Sequence, residues 1–198
     1  MRRLAIPFLL AVVLAGCSTT EPGKPSASDE TGSAPTTGTS TGTAAPVNRP
    51  KAVDLKTVEP CSLITPEQKS ALGLKTLNTG TPLPDYGEGS KRCTETFEDR
   101  KYLGNIHTLV NGGVDRLKRT VGESKLTSLQ VAGYPAYLTQ RESPGSVGAC
   151  EIYIDANDGQ LLLVDAFGGL GEESATLDGA CERAKAVAAA AGAVLATK

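Results

Sequence analysis

From Ser18 to Pro50 the chain is nearly all Ser, Thr, Gly, Pro and Ala with scattered charges, and almost nothing there is large enough to bury. A segment that hides so little apolar surface cannot offset the entropy lost on ordering, so it is expected to be disordered. Any fold must therefore be built from residues 53–198. The 39% apolar content, with 22 Gly and 12 Pro, is an average over these two unlike parts. With no Trp and three Phe, the core must rest on Leu, Val, Ile and Ala.

The chain before this stretch reads as an address. Met1-Arg2-Arg3 is a cationic start, and Leu4 to Ala15 is an apolar run of a dozen residues interrupted by Pro7. A spanning helix needs about 20 residues, whereas the apolar region of a signal peptide is shorter. Leu14-Ala15-Gly16-Cys17 then resembles the lipobox of bacterial lipoproteins, in which a large aliphatic residue and two small ones precede the cysteine. The resemblance implies cleavage after residue 16 and a diacylglycerol on the Cys17 sulfur, with acyl chains of the palmitate class. Each buried methylene contributes about 0.8 kcal/mol, and two chains hold a protein where one does not.

The expected organisation is a signal peptide over 1–16, a lipidated anchor and tether over 17–52, and one domain over 53–198. Localisation follows as the extracytoplasmic face of the cell membrane. As a flexible coil the tether has a reach of about 30 Å, rising to about 110 Å when stretched. Thr36, Thr37, Thr39 and Thr41 are candidate acceptors for O-linked sugars, with a bare linker as the alternative. Removing Arg2 and Arg3 takes the formal charge from −2 to −4, which argues against a nucleic-acid partner.

In the domain, Thr65-Pro66-Glu67-Gln68 predicts a helix start with a capping box, and Gly73 a stop soon after. Strands are predicted near Arg92–Glu98 and Tyr102–Val110, then a short amphipathic helix around Val114, Leu117 and Val121. Leu126–Val131 and Pro135–Gln140 should turn at Gly133. Cys150–Asp155 and Gln160–Phe167 should pair through Asn157-Asp158-Gly159, a strong turn signal. The run Leu161-Leu162-Leu163-Val164 is apolar on both faces, as in a central strand. A long helix from Leu177 to Ala196 follows, with Leu177, Ala180, Cys181, Ala184, Val187, Ala188, Ala191 and Leu195 at three-and-four spacing. The expected class is α+β: an antiparallel sheet with short N-terminal and middle helices and the long C-terminal helix packed on one face.

Four cysteines remain besides Cys17, namely Cys61, Cys93, Cys150 and Cys181, and an even number in an exported chain favours two disulfides. Three pairings exist. Cys61 with Cys93 and Cys150 with Cys181 is favoured, because each bridge then ties a helical region to a strand. Each would close a loop of about 31 residues and contribute roughly 3–4 kcal/mol by restricting the unfolded chain. A zinc site on these four is disfavoured, since no close Cys-x-x-Cys pair is present.

Glu59-Pro60-Cys61-Ser62-Leu63-Ile64-Thr65, Cys93, Val131-Ala132-Gly133-Tyr134-Pro135-Ala136, Cys150 and Asp178-Gly179-Ala180-Cys181 with Ala184 together resemble actinobacterial lipoproteins of domain-of-unknown-function family 3558. The similarity spans Val53 to Lys198. Members often carry an aromatic residue soon after the second cysteine; here Thr94-Glu95 stand there and Phe97 comes later. The resemblance implies a mycolic-acid-type or related Gram-positive envelope and supplies no catalytic residues.

The sequence carries few residue sets of the kind that catalysis or metal binding requires. His107 is the sole histidine, sharing a strand face with Leu103, Asn105 and Leu109, and a hydrolytic triad would have to recruit Ser62 or Ser128 with an acid. No Gly-x-Ser-x-Gly elbow exists, and a half-exposed structural histidine is the expectation. Gly168-Gly169-Leu170-Gly171 matches neither nucleotide fingerprint and is followed by Glu172 and Glu173, so it reads as a connector. Asp155, Asn157 and Asp158 lack the rest of a calcium loop and are accounted for by the hairpin turn. No metal or cofactor is expected. Lys91, Arg92, Arg100, Lys101, Arg116, Lys118, Arg119 and Lys125 outnumber Glu95, Glu98, Asp99, Asp115 and Glu123, a run that reads as a solvated face or as a contact for anionic envelope components. The expected function is a non-enzymatic binding or accessory module, with an envelope protein as another candidate partner. A carrier or sensor of a small or lipidic ligand held between sheet and helix is the alternative, and a hydrolase the least favoured.

Overall fold

A computed structural model describes residues 48–143, 146–169 and 174–198. The signal stretch, Cys17, most of the tether, and Leu170 to Glu173 of the expected connector lie outside those residues.

Seven strands make one antiparallel sheet: β1 (Leu74–Gly80), β2 (Arg92–Phe97), β3 (Tyr102–Leu109), β4 (Thr127–Val131), β5 (Tyr134–Ser143), β6 (Ser146–Asn157) and β7 (Gln160–Gly168). Their order across the sheet is β1-β2-β3-β7-β6-β5-β4. The doubly apolar strand β7 is central, as its sequence requires. Its hairpin with β6 turns at Gly159, whose φ of 71° is the left-handed geometry glycine adopts without steric cost. β1 was not expected: its Lys75, Asn78, Thr79 and Gly80 hide the alternation of a half-covered edge strand.

Helix α1 (Pro66–Ala71) starts as predicted. The Thr65 hydroxyl accepts from the Gln68 amide at 3.2 Å, and the Gln68 side chain accepts from the Thr65 amide at 2.9 Å. Helix α2 (Gly113–Leu117) is a single turn that passes into a π turn over Lys118–Gly122. Helix α3 (Leu177–Leu195) buries Ala180, Cys181, Ala184, Val187, Ala188, Ala191 and Leu195, while Leu177 at its entrance is half-buried. Its Gly192 lies against β4, where a Cβ would meet Val131 Cγ1 at 2.7 Å.

Residues opposite one another on paired strands share a face, which divides the core in two. On the first face, Cys93, Phe97, Ile106, Val164, Ile152 and Ala136 meet α3 and the turns carrying Leu55, Val58 and Leu63. On the second, Leu109, Leu161, Leu163 and Tyr153 meet Leu117, Val114 and Val121. The α+β class holds, but the middle helix packs opposite α3 rather than beside it. The reason is parity: Leu161 and Leu163 need cover as much as Leu162 and Val164 do, and the α2 segment supplies it.

Both favoured disulfides are present. Cys61 joins Cys93 and Cys150 joins Cys181, with Cα atoms 5.1 and 4.9 Å apart. Each ties a helical element to a strand of the first face. Ahead of the first turn, Arg49 reaches the β6–β7 hairpin, donating to Asp155 and Asp158 at 2.8 Å each, and the Val53 amide donates to the Ala156 carbonyl. Asp155 and Asp158 thus pair with a guanidinium.

Candidate functional site

The second face carries a row of polar side chains that the strand registers line up across five strands. Thr94 on β2 stands opposite Asn105 on β3, Asn105 opposite Asp165 on β7, Asp165 opposite Glu151 on β6, and Glu151 opposite Thr139 on β5. Asn105, Asp165 and Thr139 are buried in the sheet. Polar groups taken from water must find partners or lose free energy, and this row largely partners itself.

Two networks account for it. In one, Arg92 donates through Nε and Nη2 to Asn105 Oδ1 at 3.0 and 2.7 Å, and Asn105 Nδ2 donates to Asp165 Oδ1 at 2.8 Å. The other carboxylate oxygen, Asp165 Oδ2, lies 3.5 Å from His107 Nε2. Tyr86 meets the His107 ring edge-on, with centroids 5.0 Å apart. Burial and the nearby Asp165 carboxylate push the Tyr86 phenol above its ordinary range. In the second network, Glu151 Oε1 accepts from Arg141 Nε at 3.0 Å and Oε2 from the Tyr153 hydroxyl at 2.8 Å. Burial, followed by the Glu151 carboxylate, raises the Tyr153 phenol strongly, so it remains a proton donor.

His107 shares its face with Asn105 as expected, yet it is 2% exposed rather than half-exposed. The α2 segment and Tyr86, neither adjacent to it in sequence, cover that part of the sheet. The fold gives His107 an acid partner, Asp165, but brings neither candidate serine to it. Ser62 lies in a turn on the first face with its hydroxyl donated to the Glu59 carbonyl, and Ser128 is on edge strand β4, with β5, β6 and β7 between it and β3. The triad is not assembled. Asp165 was missed because its significance depends on register with β3, which a single strand's sequence does not display.

The family's sequence profile, described as a protein of unknown function, matches residues 12–193. The chain belongs to the DUF3558 family. No curated protein and no solved structure matches it. The motifs that suggested DUF3558 map to structural roles: the two cysteine bridges, the Thr65 cap and the β4–β5 turn, where Ala132 and Gly133 have φ of 50° and 84°. None of them lies in the polar row. The row is thus a feature of this DUF3558 chain that family membership did not point to.

The basic run disperses in the fold. Lys91 pairs with Glu59, Lys118 with Glu123, and Arg116 donates to Asn111, while Arg92 is spent on Asn105. Arg100, Lys101, Arg119 and Lys125 remain exposed. One acidic member of the run departs entirely from a solvated face. Glu95 is 2% exposed on the first face, and neither carboxyl oxygen has a hydrogen-bond partner. Burial, helped by the Asp165 carboxylate, pushes its carboxyl up to about 8.

Proposed function

We propose that this DUF3558 protein is an exported lipoprotein, held by lipid on Cys17 at the extracytoplasmic face of the cell membrane, whose domain is a non-enzymatic binding or accessory module. The observation that carries this reading is the oxidised pairing of all four domain cysteines downstream of Leu14-Ala15-Gly16-Cys17. Disulfides persist in oxidising compartments, and a signal with a lipobox is the route to one. Among the described residues no helix is long and apolar enough to cross a membrane, so attachment in this reading rests on the acyl chains.

Binding on the second face accords with the packing of the first. Ala180, Ala184, Ala188 and Ala191 lie fully buried against the sheet, so a lipidic ligand between sheet and α3 would have to force the layers apart. On the other face Arg141, exposed beside the polar row, is the group that supports contact with an anionic envelope component or an envelope protein. Metabolic labelling with an alkyne fatty acid, followed by fractionation, tests the anchor. Wild type should carry label in the membrane fraction, and Cys17→Ser should lose both label and membrane association. Equal, unlabelled behaviour of the two proteins would overturn it.

A further inference from the structure

A cleft of about 560 Å³ opens beside the polar row, between the π turn after α2 and strands β5 and β6. Thr120, Val121 and Lys125 form one wall; Thr139, Arg141 and Glu151 lie on the other. We propose that it is a binding site for a small hydroxylated molecule carrying an oxyanion, a carboxylate or a phosphate, such as an acidic or phosphorylated sugar. This names the ligand class of the binding module proposed above and rests on that reading.

Three features point to this chemistry. The first is how Arg141 is held. Its Nε donates to Glu151 Oε1 at 3.0 Å, which orients the guanidinium, and among the described residues neither terminal nitrogen has a hydrogen-bond partner. Glu151 is itself held by the Tyr153 hydroxyl, so both its oxygens are engaged and its charge is matched by Arg141. A planar fork with free terminal N–H groups suits bidentate recognition of a carboxylate or phosphate. The second is Lys125, exposed and in no ion pair among the described residues, which adds a cation across the cleft. The third is Thr139, whose hydroxyl-bearing side chain lines the cleft and can both donate and accept. Glu142 is also on the lining, so Lys125 and Arg141 are balanced there by Glu142 and Glu151, and recognition of an anion rests on the directed N–H groups of Arg141 rather than on net positive charge.

The wall opposite Arg141 has unusual backbone. The π turn Lys118–Gly122 ends at Gly122 with φ of 95°, and α2 before it is entered through Gly112 and Gly113 with φ of 99° and 52°. π turns recur at functional sites because they displace side chains from the regular helical path. Here the turn puts Thr120 and Val121 at the cleft rather than continuing a helix away from it.

The experiment is calorimetry and amide chemical-shift titration of the full-length mature protein in detergent with glucuronate, glucose 6-phosphate and glucose. Saturable binding of at least one anion, at least tenfold tighter than glucose, is expected, with shifts at Thr139, Arg141 and Lys125. Arg141→Gln and Lys125→Gln should each weaken it by about tenfold or more, whereas Lys101→Gln, on an exposed residue outside the cleft, should not. Lys125 is exposed and in no ion pair among the described residues, so its variant keeps the test valid if Arg141→Gln disturbs folding. Absence of binding by both anions at millimolar concentration, equal binding of glucose, or equal weakening by Lys101→Gln overturns the site. Acyl labelling at Cys17 is read separately, so loss of the site and loss of the anchor are distinguishable.

Discussion

Glu95 and Gly104 face each other across β2 and β3, and the Glu95 carboxyl fills the place that a side chain on Gly104 would take. A Cβ built on Gly104 would lie 2.3 Å from Glu95 Oε1 and 2.6 Å from the Asp165 carbonyl oxygen. The glycine is there for space, since its φ is not in the left-handed region.

Gly104→Ala should therefore destabilise the domain by ~1–3 kcal/mol, because the carbonyl is part of the β3–β7 ladder and cannot withdraw. Urea denaturation of the oxidised protein measures this. Glu95→Ala in the same chain should recover part of the loss, since one of the two clashing atoms is then gone.

The same pair makes stability depend on pH. An acid whose folded value stands near 8, against an ordinary 4.5, binds its proton more tightly when folded. The folded state is thus favoured most below pH 4.5, and that advantage declines as pH rises through about 8, with a slope of up to ~1.4 kcal/mol per pH unit. Glu95→Gln should flatten this part of the profile, as read by denaturant midpoints between pH 5 and 8. An unchanged slope in the variant would assign the dependence to other groups.

Cys150→Ala with Cys181→Ala should cost roughly 3–4 kcal/mol, the value expected for releasing a loop of this length. The bridge joins β6 to the N-terminal half of α3, so hydrogen exchange should accelerate there before it does in the β3–β7 ladder.

Arg49→Ala removes both hydrogen bonds to the β6–β7 hairpin and leaves the buried Asp155 carboxylate without its cation. Burial already raises Asp155 against the opposing pull of Arg49, so the variant should push it higher. A loss of about 1–2 kcal/mol is expected, with faster exchange of the Val53 amide.

Local signals in the sequence carried the elements well. The Thr65 capping box, the Asn157-Asp158-Gly159 turn, the small-residue stripe of α3 and the central β7 all appear where propensity and spacing put them. What was not legible depends on pairing between distant segments. Glu95 counted as one charge among five in a surface run because nothing beside it in sequence shows that Gly104 opens a space for it. Likewise, Asp165, Glu151 and Thr139 are separate polar interruptions until the registers of β5, β6 and β7 bring them into one row. The side on which α2 packs was hidden for the same reason, since its apolar residues fit either face equally well.

The most direct test is the intact mass of the protein recovered from its own host, taken without reduction after exposure to iodoacetamide. The expected species lacks residues 1–16, carries a diacylglyceryl group on Cys17, and takes up no alkyl group at Cys61, Cys93, Cys150 or Cys181. An unprocessed, unacylated terminus, or four alkylated sulfurs, would contradict the reading of an exported, disulfide-held lipoprotein.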